Sequence, residues 1–236
     1  MKELSNLWKM WTIYQCALIL MLQGIYEVLA DCTCFPKHPQ QHFCESDFVI
    51  KATAKALDIA LPNDSNITYA QLMDLPTEVI NSANKVWKLK ISHVFKGKSF
   101  LFPGISVQVY TPLFDGRCGV NHIQENKPYV IMGNLETDGK LTFDFCNWHR
   151  KWEELTARQK KGFRNTYKDN CSCHVHTCGI GSICGEREKQ FVNNCDWDPF
   201  NGACYNKHAT CVLRRKDKGC EWNYPIDQKD CVFPMR

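Results

Sequence analysis

Lys85-Val-Trp-Lys-Leu-Lys-Ile-Ser-His-Val-Phe95 alternates apolar and polar side chains, the period of a strand with one buried face, and Lys96-Gly97 ends it. The pattern recurs on both sides. Downstream lie Ile105-Ser-Val-Gln-Val-Tyr110, closed by Pro112, then Pro128-Tyr-Val-Ile-Met-Gly133 and Lys140-Leu-Thr-Phe-Asp-Phe145. The last two are joined through Thr137-Asp-Gly139, a hairpin-type turn. Upstream lies Phe48-Val-Ile-Lys-Ala-Thr53. Trp152 to Tyr167 reads as a helix, with Leu155, Gln159, Phe163 and Thr166 at helical spacing and Thr156 as a local cap. Five strands followed by a helix, with no βαβ alternation, predict a mainly β fold. A small closed barrel of the OB type is its natural form, because closure removes exposed strand edges.

Between the first two strands, Ala54 to Asn84 is polar and reads as a long irregular loop. It carries two glycosylation acceptors, Asn63-Asp-Ser65 and Asn66-Ile-Thr68, which suit a surface position. The preceding stretch, Cys32 to Asp47, reads as an extended arm leading into a short helical turn. After Cys171 the composition changes. Nine cysteines fall between Cys171 and Cys231, and apolar periodicity fades, which predicts a separate disulfide-stapled module.

The chain has 236 residues and a net charge of +4. Lys2 and Lys9, the apolar run Trp11 to Leu22 and the small-residue site Val28-Leu-Ala30 describe a secretory leader. Residues 1–31 are therefore set apart as a signal peptide, cleaved after Ala30 or Asp31, and the mature protein is expected to be secreted and soluble. Of fifteen cysteines, Cys16 lies in the leader and fourteen remain. An even, dense set in an exported chain reads as a disulfide framework. Arg158 to Arg164 and Arg214 to Lys218 are local basic clusters, read mainly as solvated faces that could touch matrix polyanions. No aromatic interleaving favours nucleic acid.

Two stretches invite a metal reading. Cys171-Ser-Cys-His-Val-His-Thr-Cys178 packs potential zinc ligands closely, but lacks the two separated knuckles of structural zinc sites, so disulfides with exposed His174 and His176 are expected. The second stretch is Cys32-Thr-Cys34, just ahead of Phe35-Pro36. If the chain starts at Cys32, its free amine and its own carbonyl oxygen can close a five-membered ring on a zinc ion, which accepts N and O donors. The plainer reading is a secreted start with two structural cysteines. Enzyme readings find no support: G-x-S-x-G, H-E-x-x-H and P-loop patterns are absent, and the cysteine count leaves no free thiol for a Cys/His pair.

The run from Cys32 through Phe48-Val-Ile-Lys51 closely resembles the mature start of the tissue inhibitors of metalloproteinases. The resemblance continues through Val109-Tyr-Thr-Pro112, Cys118-Gly119, Gln159-Lys-Lys161 and Cys171-Ser-Cys173, and reaches Cys211 and Cys220-Glu-Trp222. It implies a netrin-like OB domain over residues 32–171 and a small disulfide-rich subdomain over 172–236. It also implies bridges Cys32–Cys118, Cys34–Cys146, Cys44–Cys171, Cys173–Cys220, Cys178–Cys184 and Cys195–Cys211. Cys204 and Cys231 fall outside that set and are expected to pair with each other.

The function implied is inhibition of secreted zinc metalloproteases of the matrix type, with no cofactor of the inhibitor's own. The Cys32 amine and carbonyl would hold the protease's zinc, and Thr33 would enter the specificity pocket beside it. Cys34, Phe35 and Pro36 would run on along the cleft, while Asp115, Gly116, Arg117 and Cys118 would pack beside them. A start at Asp31 turns the Cys32 nitrogen into an amide, a poor zinc ligand. The alternative is an extracellular binding module for matrix or receptor, without protease inhibition. Salt-sensitive heparin binding through Lys160, Lys161, Arg214 and Arg215 would mark it.

Overall fold

The computed structural model describes residues 32–178, 193–199, 203–214, 216 and 219–223. The proposed leader lies outside them, as do Cys184, Arg215 and Cys231. The fold is mainly β. Its largest sheet contains β1 (Phe48–Ala60), β2 (Asn66–Ile67), β3 (Asn84–Lys96), β4 (Ser106–Pro112), β5 (Pro128–Leu135), β6 (Leu141–Thr142) and β7 (His149–Lys151). Its order is β2-β1-β3-β4-β6-β5-β7, and β1 also pairs with β5, so β1, β3, β4, β6 and β5 form a hydrogen-bonded ring. All pairings in the ring are antiparallel except β4 with β6.

β1 can serve both neighbours because its register against β3 shifts at three places: Val49/Ile50, Lys51/Ala52 and Ala54/Ala56. Each shift bends the strand and increases its twist. Phe48, Ile50, Ala52 and Ala54 point into the ring with Trp87, Leu89, Ile91, Val109, Ile131 and Phe143. Val49, Val130 and Met132 point outward into a second core, closed by Phe43, Leu155, Phe163 and Tyr167. Both faces of the early β1 are thus buried.

The second core is covered by α1 (Pro39–Glu45) and by the helical segment after β7. The continuous helix expected from Trp152 to Tyr167 is broken. A 3₁₀ turn at Trp152–Glu154 ends at Leu155, which is extended, with ψ 137. Thr156 then starts α4 (Ala157–Lys161) with a capping box to Gln159. A π turn at Gly162–Thr166 leads into α5 (Tyr167–Asp169). The Tyr167 ring occupies the space a β-carbon on Gly162 would need, 2.4 Å from that position, so this packing requires glycine there.

The stretch from Ala54 to Asn84 is not an irregular loop. β1 runs on to Ala60, and after β2 come α2 (Tyr69–Met73) and α3 (Thr77–Ser82). Thr68 and Gln71 form a capping box for α2. Leu72, Ala83 and Leu113 form a small core of their own with Ile59, Leu61, Ile67, Leu75 and Ile80. Asn63 and Asn66 are exposed on this excursion.

Beyond Cys171, β8 (His174–Thr177) pairs in parallel with β9 (Asn194–Trp197), and β10 (Thr210–Leu213) pairs antiparallel with β11 (Cys220–Asn223). With α6 (Ala203–His208) they enclose Cys173, Val175, Cys195, Trp197 and Cys211. Among the described residues no helix is long and apolar enough to cross a membrane.

Candidate functional site

The segment from Cys32 to Lys37 has no regular secondary structure, and bridges tie it to the ring at two points. Cys32 is joined to Cys118 and Cys34 to Cys146. The two bridges lie side by side, with Cys32 Sγ 3.9 Å from both Cys34 Sγ and Cys146 Sγ. Thr33, between them, is exposed, and Phe35 is 71% exposed despite its apolar ring. Pro36 and Lys37 are also exposed, and then His38 is completely buried.

That change comes from the contacts behind the segment. Thr177 Oγ1 donates to Pro36 O at 3.1 Å. His38 accepts the Gln40 N–H on Nδ1, so its Nε2 carries the proton and donates to Tyr205 O at 3.0 Å. Burial pulls the His38 pKa down to about 4, partly offset by that backbone bond. Gln40 donates to Cys211 O and accepts from Cys211 N, at 2.8 and 2.9 Å. Cys44–Cys171 holds the far end of α1.

Cys118 ends a tight loop whose 3₁₀ turn spans Asp115–Arg117. It adopts a left-handed conformation, φ 64 and ψ 28, and its N–H donates to Asp115 O at 2.8 Å. Gly119 N donates to Phe114 O, and Phe145 N donates to Cys118 O. The buried Thr111 accepts Val120 N–H on Oγ1. A β-carbon at Gly119 would lie 2.2 Å from Pro112 O and 2.7 Å from Phe114 O, so the loop closes only with glycine there.

Cys32 and Thr33 line a cleft of about 490 Å³ together with Asp115, Gly116, Gly119, Asn121, His122 and Phe145. Arg117 faces a neighbouring cleft of about 530 Å³, whose other lining residues include Phe114 and Gly116 with Glu78, Asn81 and Ser82 of α3. The structure therefore gathers Cys32, Thr33, Asp115, Gly116 and Cys118 around one depression, with Phe35 and Pro36 projecting from the same short segment. Asn121, His122, Phe145 and the α3 residues join them without a local sequence signal. Phe145 reaches the cleft through the pairing of β4 with β6 and its N–H bond to Cys118 O, and it could have been inferred from its neighbour Cys146.

Under the cleft, His149 is buried and its Nδ1 lies 2.8 Å from Asn147 O. Its Nε2 is 2.8 Å from His122 Nε2. Burial holds the His149 pKa down at about 4, the hydrogen bond to Asn147 opposing the shift. In the distal part, Cys173 pairs with Cys220 and Cys195 with Cys211. Cys178 and Cys204 are also disulfide-bonded; their expected partners, Cys184 and Cys231, lie outside the described residues. The close groups Cys32, Cys118, Cys146 and Cys173, Cys211, Cys220 are thus half-cystines and not open metal ligands.

The profile of the family described as tissue inhibitor of metalloproteinase matches residues 30–222. Metalloproteinase inhibitor 2 of Cavia porcellus is 33% identical over 211 residues, 87% of this chain and 88% of that protein. Metalloproteinase inhibitor 3 of Scyliorhinus torazame is 31% identical over 212 residues, 87% of this chain and 86% of that protein. The match to metalloproteinase inhibitor 4 of Mus musculus, at 30% identity, spans 62% of this chain and only 60% of that protein.

Proposed function

The chain belongs to the tissue inhibitor of metalloproteinase family, whose members are inhibitors and not enzymes, and from that premise we propose that it is a secreted inhibitor of zinc metalloproteases acting through the segment Cys32–Pro36. One observation carries this reading: a non-helical, exposed segment is cross-linked at Cys32 and Cys34, and Phe35 is displayed to solvent. A segment fixed before binding loses little entropy on entering a protease cleft.

In this reading residues 1–31 are removed and Cys32 is terminal. Its neutral amine and carbonyl then occupy two positions on the protease's zinc, the donor types that zinc accepts, and take the place of the attacking water. An α-amine titrates at about 7.7–8.0, so the neutral form is present near physiological pH. Thr33 enters the pocket beside the metal, and Cys34, Phe35 and Pro36 follow the cleft. Asp115, Gly116, Arg117 and Cys118 pack on the opposite side. We read the ring of strands as an OB-type, netrin-like barrel within a domain of residues 32–171, followed by a subdomain of 172–236. Asn63 and Asn66 are its glycan acceptors.

The deciding experiment compares two recombinant forms, one starting at Cys32 and one at Asp31, in titrations against a matrix metalloprotease. Stoichiometric inhibition only by the Cys32 form is the expected result. Equal inhibition by both forms removes the chelating amine from the mechanism.

A second reading, a module that binds a sulfated matrix polysaccharide, draws on one observation. Lys51, Lys160 and Arg164 converge on the Trp152 ring, at 4.6, 5.3 and 5.7 Å. Lys160 was one of four cations expected to serve such binding; Arg158, from the same cluster, instead donates to Asn223. Salt-sensitive heparin retention that survives in the Asp31 form would make the two activities separable.

A further inference from the structure

His122 and His149 do not belong to the inhibitory segment, yet they form the most specialised polar contact beside it. His149 is buried at the start of β7, whereas His122 is exposed and lines the cleft. The carbonyl of Asn147 can only accept, so the 2.8 Å contact places the His149 proton on Nδ1. His149 Nε2 therefore offers a lone pair, and it points at His122 Nε2, 2.8 Å away. A ring N–H given to a backbone carbonyl, leaving the other nitrogen free to bind, is how metal-ligating histidines are usually oriented.

We propose that His122 and His149 form a two-histidine site for a divalent transition metal of the copper or zinc class, distinct from the zinc of any target protease. The spacing fits. With metal–nitrogen bonds of about 2.0–2.1 Å, two neighbouring ligands at right angles stand about 2.9 Å apart, and at a tetrahedral angle about 3.3 Å. The ring centroids are 4.8 Å apart with planes inclined at 31°. Each centroid of a coordinated ring sits about 3.2 Å from the ion, so that separation corresponds to an angle of roughly 95–100° at the metal. Both measures put the angle at an ion between the rings near a right angle, which suits tetragonal copper better than tetrahedral zinc.

Coordination needs little rearrangement. His122, being exposed, moves its proton from Nε2 to Nδ1, and both neutral rings then present Nε2 to the ion without net proton release. Asp115 and Asn121 line the same cleft, and water fills the remaining positions. Imidazole ligands select copper, zinc or nickel over magnesium and calcium. Among the described residues this pair belongs to no close group of three or more Cys, His, Asp or Glu ligands, so two imidazoles carry the binding and copper is favoured over zinc. The bound ion would clip the segment after Cys118 to the strand after Cys146, stiffening the wall beside Cys32.

The test uses the mature chain with disulfides intact and its terminal amine acetylated, so that the Cys32 nitrogen cannot contribute. CuCl2 and ZnCl2 are titrated by calorimetry into wild type, His122→Leu and a His174→Ala/His176→Ala control, with no protease present. One site is expected in wild type and in the control, weakened at least tenfold in His122→Leu. Electron paramagnetic resonance of the copper form should show two imidazole nitrogens in wild type and one or none in His122→Leu. Equal affinity of wild type and His122→Leu, or no binding by wild type, overturns the proposal.

Discussion

Replacing the buried Gly119 by alanine should strongly destabilise this molecule. The new β-carbon would lie 2.2 Å from Pro112 O, 2.7 Å from Phe114 O and 3.0 Å from Pro112 C. An acceptable carbon–oxygen contact is about 3.3 Å, so at least one wall must retreat by roughly 1 Å. Neither wall is a side chain that can rotate away. Phe114 O accepts N–H groups from Arg117 and Gly119, and Pro112 is paired with Asn84 at the end of β4. Relief therefore opens the turn and gives up both bonds to Phe114 O. Two hydrogen bonds at about 1 kcal/mol each and an overpacking cost of about 1–3 kcal/mol give a loss of roughly 3–5 kcal/mol. For a chain of this size each kcal/mol lowers the melting temperature by about 2–4 °C, so a fall of roughly 10 °C is expected. Gly139→Ala is the control. Nothing lies within 4 Å of its β-carbon, and only its φ of +85 resists substitution. Thermal denaturation of both variants with disulfides intact, alongside protease titration, reads the effect. Because Cys118 moves with the turn, Gly119→Ala should also weaken inhibition. A melting temperature within about 2 °C of wild type would refute the steric argument.

Two further outcomes follow from buried polar groups. His38 and His149 titrate near 4 in the fold, against 6.5 when free. The unfolded chain thus binds more protons in this range, so stability is full above pH 6.5 and is lost as pH falls towards 4, by on the order of 3 kcal/mol per histidine. Urea midpoints at pH 7 and pH 4.5 should differ accordingly, and a His149→Val variant should flatten the dependence; coincident midpoints for wild type contradict it. Gln40→Ala strips partners from both the N–H and the C=O of Cys211, a wholly buried residue. Two orphaned backbone groups cost about 2–6 kcal/mol, and the Cys211 amide should lose hydrogen-exchange protection by at least tenfold. Unchanged protection would mean that α1 is not what orders β10.

Much of the ring was legible because its strands carry their own signal. Lys85 to Phe95 and Ile105 to Tyr110 alternate in the sequence and pair along that register as β3 and β4. The later half of β1 was not, since Ala54, Ala56 and Ala60 contribute little hydrophobic amplitude and the polar run that follows hides two short helices. Thr68 with Gln71, a visible capping pair, was the available clue. Thr156 with Gln159 is the same device, and it marks where the helix after β7 really begins. The exposed segment at Cys32 could be read because its chemistry is local. Its cleft could not: His122, Asn121 and Phe145 arrive from the segments after β4 and β6, which meet only when those two distant strands pair. Which cysteines pair came from family resemblance, since spacing allows many connectivities.

The two bridges at the start of the described chain carry a consequence for how the covalent structure is reached. Cys146 Sγ lies 4.0 Å from Cys118 Sγ, and Cys32 Sγ is 3.9 Å from Cys146 Sγ. A glutathione thiolate that attacks Cys118 frees the Cys32 thiolate, which lies within reach of Cys146; its attack there releases the Cys34 thiolate, and Cys34 then displaces glutathione from Cys118. That exchange would yield a crossed pairing, with the first and second cysteines exchanged between their partners. Peptide mapping after equilibration in a glutathione redox buffer should recover the crossed pair, Cys32 with Cys146 and Cys34 with Cys118, as the principal minor isomer.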